Sequence, residues 1–282
     1  MHVVCPPIIE VSELKECLED PLLVVLDART GKQAEAEYLA GHLQGALFAD
    51  LEKDWSAISH SPSQGGRHPL PDLFDFAKTV SDLGITAQSR VVVYDAQGGA
   101  NAAARVWWML RAFGIDWVRV LNGGWPAALA YGLPIRSGEE AVKKNVVKIP
   151  DDWMLPTVSL EEVEQKLSDG SALVIDVRES SRYRGDFEPI DTVAGHIPGA
   201  INFPFSENFN AEGFFLGREA LRMKYAQFLK KDLDCIVHCG SGVTACHTVL
   251  AMVLAGFPPP SLYVGSWSEW SRRGKPIAVE RD

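Results

Sequence analysis

The 282-residue sequence predicts two tandem α/β domains, each a parallel sheet flanked by helices. Three observations lead there. At roughly 100–200 residues per domain, the length fits one large domain or two ordinary ones. Short β-rich apolar runs alternate with longer segments of helical pattern, as they do where parallel strands are joined by crossover helices. A set of landmarks also recurs once in the same order, the mark of a duplicated unit.

Along the chain, Leu14 to Leu18 reads as an amphipathic helix leading the first copy, and Leu22-Leu23-Val24-Val25-Leu26 as a strand closing on Asp27-Ala28-Arg29. Gly41-His42-Leu43-Gln44-Gly45-Ala46 comes next. Val91 to Tyr94 is a buried-strand candidate running into Asp95, and Ala102 to Ala112 a helix. Gly123-Gly124-Trp125 and Pro134 complete the copy. Between Ser137 and Thr157 a charged stretch (Glu139, Glu140, Lys143, Lys144, Lys148) meets Pro150 and Pro156, with no sustained period of 2 or 3.6. The second copy then opens on a helix over Leu160 to Leu167 and the strand Ala172-Leu173-Val174-Ile175, closing on Asp176-Val177-Arg178. Gly195-His196-Ile197-Pro198-Gly199-Ala200 follows, then the strand Ile236 to His238 running into Cys239. A helix over Thr244 to Ala255, punctuated by Gly256 and Pro258, leads to Gly265-Ser266-Trp267 and Pro276.

The spacings keep step: 149 residues from Asp27 to Asp176, 154 from His42 to His196, 144 from Asp95 to Cys239, and 142 from Trp125 to Trp267 and from Pro134 to Pro276. Each copy is then a domain of about 130 residues, a common size. The expected division is one domain over 1–136, a linker over 137–157 and a second domain over 158–282.

Composition excludes several classes. Hydrophobic residues make up 46% and charged residues 23%, the balance of a globular chain rather than a disordered or fibrous one. The net charge of −10 gives no general reason to approach nucleic acid or anionic lipid. No apolar run approaches the ~18–20 residues of a membrane span, and Met-His-Val-Val-Cys-Pro-Pro lacks the zones of a signal peptide, so a cytoplasmic location is expected. Cysteines at 5, 17, 235, 239 and 246 are odd in number and fall in two distant clusters, a poor disulfide framework.

The chemistry is expected around Ile236-Val237-His238-Cys239-Gly240-Ser241-Gly242-Val243-Thr244-Ala245-Cys246-His247, which reads as strand, glycine-rich loop and helix. Gly240 and Gly242 let successive backbone N–H groups curl inward, and the following helix adds its unpaired N-terminal donors. Such a cup holds an anion and makes a cysteine facing it nucleophilic near neutral pH. The first copy has Asp95 in that place, followed by Ala96-Gln97-Gly98-Gly99, so only one half keeps a thiol. The plainer reading of Cys239 is a small packed hydrophobe. A zinc site from His238, Cys239, Cys246 and His247 matches none of the common ligand spacings. His238-Cys239-x-x-Gly242 also begins like the loop of cysteine-dependent phosphatases, but Ala245 stands where the phosphate-clamping arginine belongs. Cys235, four residues before Cys239, is either a resolving thiol or a buried strand residue.

These residues resemble the two-domain rhodanese superfamily, and within it the thiosulfate and 3-mercaptopyruvate sulfurtransferases. The resemblance covers nearly the whole chain. It rests on the Asp-x-Arg of each half, on Gly195 to Ala200, on Cys239-Gly240-Ser241-Gly242-Val243-Thr244-Ala245, on Gly265-Ser266-Trp267-Ser268-Glu269-Trp270, and on Arg105-Val106-Trp107-Trp108-Met109-Leu110-Arg111. It implies two rhodanese-like domains, with the active site in the second, facing the cleft between halves. It also implies sulfur transfer from a small anionic donor through a Cys239 persulfide, with no metal or organic cofactor. The acceptor would be cyanide, a small thiol or a thioredoxin.

The neutral loop from Cys239 to Thr244 is similar to that of the mercaptopyruvate type, whereas thiosulfate users carry positive side chains there, so 3-mercaptopyruvate is the expected donor and thiosulfate the alternative. Gly240, Gly242, Val243 and Thr244 would cradle the substrate, Ser241 would act with Cys239, and Arg182 would anchor the substrate's carboxylate. The second arginine usual in that type falls at or near Ile190 here; Arg184 either substitutes for it or pairs with Asp186 or Glu188 at the surface. His68 matches the histidine of a Ser-His-acid relay with Ser241, and Glu52 its acidic member. Because Asp27, Arg29, Asp176, Arg178, His42 and His196 recur in both halves, they are expected to build scaffold rather than chemistry. From another class, a rhodanese-like binding module that no longer turns over is suggested by Ile190 and Glu52 and opposed by the intact loop.

Overall fold

In a computed structural model, residues 5–229 and 232–280 are described. The chain divides into two compact units, and they are not simple halves. Unit 1 holds residues 1–56, 71–154 and 211–215; unit 2 holds 57–70, 155–210 and 216–282. No regular element forms between residues 137 and 156.

Unit 1 carries β1 (Ile8–Ile9), α1 (Val11–Cys17), β2 (Leu23–Asp27), α2 (Ala34–Ala40), β3 (His42–Leu43) and β4 (Ala46–Phe48). It continues with α3 (Leu73–Asp82), β5 (Arg90–Tyr94), α4 (Ala102–Phe113), β6 (Val118–Leu121), α5 (Gly124–Tyr131) and β7 (Ile135–Arg136). Unit 2 carries β8 (Thr157–Val158), α6 (Leu160–Ser168), β9 (Ala172–Asp176), α7 (Ser180–Arg184) and β10 (Ile201–Asn202). After a 3-10 turn at Phe205–Asn208 come α8 (Arg218–Ala226), β11 (Asp234–His238), α9 (Thr244–Leu254), β12 (Ser261–Tyr263) and α10 (Ser266–Trp270).

Both sheets are parallel and share one topology. The strand order is β1-β6-β5-β2-β4 in unit 1 and, read from the matching edge, β8-β12-β11-β9-β10 in unit 2. The antiparallel pair of His42 with Arg136 in unit 1 has its counterpart in the bridge of His196 with Ala278 in unit 2. Helices therefore start and stop about where periodicity places them; α1 begins three residues earlier than expected, at Val11, whose side chain is buried beside that of Leu14. α6 starts at a capping box, with Ser159 and Glu162 each bonding the other's backbone amide, which fixes its first turn.

Central strands are apolar on both faces, as parallel strands under two helical layers must be. Val91, Val92, Val93 and Tyr94 are fully buried in β5, as are Ile236, Val237 and His238 in β11. Leu14, Val25, Val92 and Leu121 share one core cluster of unit 1, and Leu160, Val174, Ile236, Tyr263, Trp267 and Trp270 one of unit 2. Among the described residues no helix is long and apolar enough to cross a membrane.

Candidate active site

In a parallel sheet, ligands gather at the carboxyl ends of the strands. Cys239 stands there, one residue past the end of β11 and only 1% exposed. Gly242, at φ 74, turns the chain into α9, and a Cβ on it would lie 2.5 Å from the Val264 carbonyl oxygen, so the loop lies flat against the end of β12. α9 is buried on every side over Ala245 to Met252, and its N-terminus opens onto the loop. The loop is pinned from outside as well. Trp267 and Ser268 donate their backbone N–H groups to the Cys239 and Gly240 carbonyls at 3.0 and 2.8 Å.

The matching loop of unit 1 reveals what such a cup binds. Asp95 is buried, and its two oxygens accept hydrogen bonds from the backbone amides of Gln97 and Gly99 (2.8 Å each), Asn101 (3.1 Å) and Ala103 (3.2 Å). Burial pushes the carboxyl above the usual range against the pull of these four amides. Four donors with no acceptor among them suit the ionised form, because an acid proton would have nowhere to go. The positive φ of Gly98 (67°) matches that of Gly242 (74°), and the Trp125 amide reaches the Asp95 carbonyl at 2.8 Å just as Trp267 reaches Cys239.

Ser241 and His68 come together: Ser241 Oγ and His68 Nδ1 are 2.7 Å apart. His68 belongs to the segment 57–70, which unit 2 holds through α10. The Gly65 amide donates to Glu269 Oε1 at 2.9 Å and the Arg67 amide to Ser268 Oγ at 3.1 Å. Gly66, at φ 82, packs so closely that a Cβ there would sit 2.5 Å from the Gly265 carbonyl oxygen. Glu52 belongs to unit 1, where its amide bonds Asp50 Oδ1 at 2.9 Å and it lines a concavity with Arg29, Lys32 and Asp50.

Arg182, near the end of α7, donates from Nε and Nη2 to Glu188 at 3.0 and 2.7 Å, and its Nη2 lies 3.6 Å from Asp191 Oδ2. Arg67, which sequence reasoning passed over, pairs with Asp191 Oδ1, and Arg272 reaches the same oxygen at 2.8 Å. Both Arg67 and Arg182 border the loop: a Cβ on Gly240 would lie 3.0 Å from Arg67 Nη2 and 3.4 and 3.6 Å from the Arg182 nitrogens. Arg184 pairs with exposed Asp186 at 2.8 Å, and Ile190 is 57% exposed.

Ser266 was also overlooked. It is the one non-glycine residue with positive φ (54°) among those described. Its Oγ accepts from the Cys239 amide at 3.2 Å and donates to the Tyr263 carbonyl at 2.8 Å. The visible signal was the contrast of Gly265-Ser266-Trp267 with Gly123-Gly124-Trp125.

The recurring residues do the same work twice. Arg29 and Arg178 each grip the preceding aspartate, Asp27 or Asp176, with 2.6 Å as the shortest distance in both, and each lies over a tryptophan ring, Trp125 or Trp267. His42 stacks on Tyr38 and His196 on Tyr183, each with Nδ1 2.8 Å from that tyrosine's carbonyl oxygen. Cys246 is buried, its Sγ donating to the Gly242 carbonyl at 3.2 Å. Cys235 lines an apolar concavity of about 460 Å³ with Leu233, Met252, Phe257 and Pro258, at the amino end of β11 and away from the loop. No group of three or more His, Cys, Asp or Glu side chains among the described residues is placed to hold a metal ion.

Against known proteins, the rhodanese-like domain family matches residues 10–130 and 159–273. A probable 3-mercaptopyruvate sulfurtransferase of Pseudomonas aeruginosa is 41% identical over 266 residues, covering 92% of this chain and 93% of the relative. A putative thiosulfate sulfurtransferase of Mycobacterium tuberculosis is 40% identical over 84% of this chain and 82% of its own length. Among solved structures, the 3-mercaptopyruvate sulfurtransferase of Escherichia coli is similar with a TM-score of 0.78 and 30% identity, over 93% of this chain and 98% of that one.

Proposed function

Because the chain belongs to the rhodanese family and is a two-domain sulfurtransferase, we propose that it moves a sulfane sulfur from a small anionic donor, best fitted by 3-mercaptopyruvate, through a Cys239 persulfide to a thiol or cyanide acceptor. The observation that carries this is the exchange of Asp95 for Cys239 in otherwise matching loops. In unit 1 the cup holds a carboxylate on four backbone amides. The same strand, turn and helix in unit 2 end on a thiol, so a sulfur anion takes the place of the carboxylate. It is first the thiolate and then the persulfide anion.

The steps balance without a metal or organic cofactor. Cys239 thiolate attacks the donor's sulfur; the carbon–sulfur bond breaks and its electron pair leaves as the enolate of pyruvate, which takes up a proton. An acceptor nucleophile then attacks the outer sulfur, the S–S bond breaks, and its pair returns to Cys239. This is covalent catalysis in two half-reactions, with ping-pong kinetics. Ser241 and His68, in hydrogen-bond contact, are suited to pass the proton, with Glu52 as the candidate acidic partner of His68. Gly240, Gly242, Val243 and Thr244 line the cradle, and Arg182 anchors the donor's carboxylate.

A second reading, thiosulfate as donor, is favoured by the Mycobacterium relative's name. Intact-mass and peptide mapping after addition of 3-mercaptopyruvate are expected to find one added sulfur, on Cys239, and Cys239→Ser is expected to abolish turnover. A serine variant that still turns over would refute the mechanism, and a higher kcat/KM with thiosulfate would refute the donor order. Purified protein inert with both donors would favour a binding module instead.

A further inference from the structure

We propose that Arg67 is a substrate-anchoring and specificity-determining residue, forming with Arg182 a paired-guanidinium seat beside Cys239 for the carboxylate of a 2-oxo-acid thiol donor. The proposal rests on the sulfur-transfer reading above and deepens it. The expected second arginine is missing: Ile190 is exposed, and Arg184 is engaged with Asp186 at the surface. The structure fills the gap from a part of the sequence over a hundred residues away.

Arg67 and Arg182 approach the residue after the nucleophile from two different segments, both within unit 2. Their side chains are 22% and 15% exposed, so each keeps some surface free for a ligand while its position is fixed. Fixing comes from carboxylates set behind them. Asp191 takes Arg67 and Arg272 on one oxygen, and its other oxygen, which accepts no hydrogen bond from the described residues, faces Arg182 Nη2 at 3.6 Å. Glu188 receives Arg182 on both oxygens and Arg178 on one. A side chain on Gly240 would push the guanidiniums back by a few tenths of an ångström, since they border the space it would use.

Charge counting sets the donor class. The ion-paired cluster contains Arg67, Arg178, Arg182 and Arg272 against Asp176, Glu188 and Asp191, four positive groups against three negative. The neighbouring His238 adds no charge near neutral pH, since burial pushes its titration down. The excess of one positive charge is balanced by a monocarboxylate and overshot by a dianion. A planar carboxylate also matches the fork geometry of guanidinium donors. The same pair would steady the negative charge that develops on the 2-oxo oxygen as the carbon–sulfur bond breaks.

The test uses full-length wild type, Arg67→Gln and Arg67→Lys, with 3-mercaptopyruvate as donor and cyanide as acceptor. Arg67→Gln is expected to raise the KM for 3-mercaptopyruvate and the inhibition constant of pyruvate by about 10- to 100-fold. The KM for cyanide is expected to stay within about twofold, with Cys239 still loading fully at saturating donor; Arg67→Lys should recover part of the loss. Should Arg67→Gln not fold because Asp191 is left short of a partner, the double variant Arg67→Gln, Asp191→Asn removes both charges and reads the same constants. A donor KM within twofold of wild type in a folded variant, while wild type loads Cys239 from 3-mercaptopyruvate, would overturn the role of Arg67 alone. Wild type that loads from thiosulfate but not from 3-mercaptopyruvate would overturn it together with the donor assignment.

Discussion

Ser266 holds a left-handed backbone that costs an ordinary residue about 1–2 kcal/mol, while Gly124 adopts the same conformation, at φ 56, in the half without the thiol. Strain kept only beside the nucleophile points to the serine's hydroxyl, which receives the Cys239 amide. Ser266→Gly is therefore expected to hold its thermal midpoint within a few degrees of wild type while kcat falls about tenfold, the worth of one positioning hydrogen bond. Calorimetry beside steady-state kinetics checks this, and full activity in the glycine variant would sink it. Cys235 illustrates the opposite case, a residue near Cys239 in sequence and far from it in space. Burial pushes its thiol up to about 12, so almost none is thiolate at pH 8. Four residues along a strand also put it about 13 Å from Cys239, well beyond the ~7 Å a disulfide spans. After peroxide treatment we expect no Cys235–Cys239 disulfide by peptide mapping, and Cys235→Ser should inactivate at the wild-type rate within about twofold.

The strand-loop-helix element shows how one backbone serves two ends. In unit 1 it is closed on its own carboxylate; in unit 2 it is closed on a thiol, the sulfur carrier of the proposed reaction. Removing Asp95 should expose the cost of an empty cup. Asp95→Ala takes the carboxylate from four backbone amides, those of Gly99 and Ala103 buried and those of Gln97 and Asn101 nearer water, and at about 1–3 kcal/mol for each unsatisfied group, part of which entering water recovers, a loss of about 3–5 kcal/mol is expected in urea titrations. Formate, an anion small enough to take the vacated place, should restore part of that loss in the variant and not in wild type. A variant as stable as wild type would mean that the amides are satisfied some other way. Anion stabilisation at Cys239 would then lack its counterpart in unit 1.

Across the whole molecule, what could be read from the sequence was what lies close together along it. The duplicated strand order, the glycine loop and the Asp-x-Arg grips are local patterns, and hydrophobic periodicity or a fixed spacing is enough to find them. His68 beside Ser241 was accessible only through family resemblance, since 173 residues separate them. Arg67, Asp191 and Arg272 form their cluster from three distant segments, and no period or motif announces such a meeting. The net charge of −10 likewise hid a cluster with one positive charge in excess beside the loop. The repeated grips give the last prediction. Asp176 is fully buried, and although burial alone would raise it, His238 once protonated in acid, the charge of Arg178 and the hydrogen bonds from Arg178 hold its carboxyl below the usual range. A depressed pKa in the folded state contributes stability that is complete above the unfolded value, near 3.9, and is lost as pH falls through the folded one. Asp176→Asn strips that contribution and leaves the buried Arg178 guanidinium with Glu188 as its remaining carboxylate, so a loss toward the lower end of about 3–5 kcal/mol is expected at pH 7. The gap between variant and wild type should persist from pH 7 to 5 and narrow below about pH 4, as wild type surrenders the same contribution to protonation. Urea midpoints at pH 7, 5 and 3 measure it, and a gap that stays constant down to pH 3 would mean that the grip acts through packing on Trp267 rather than through charge.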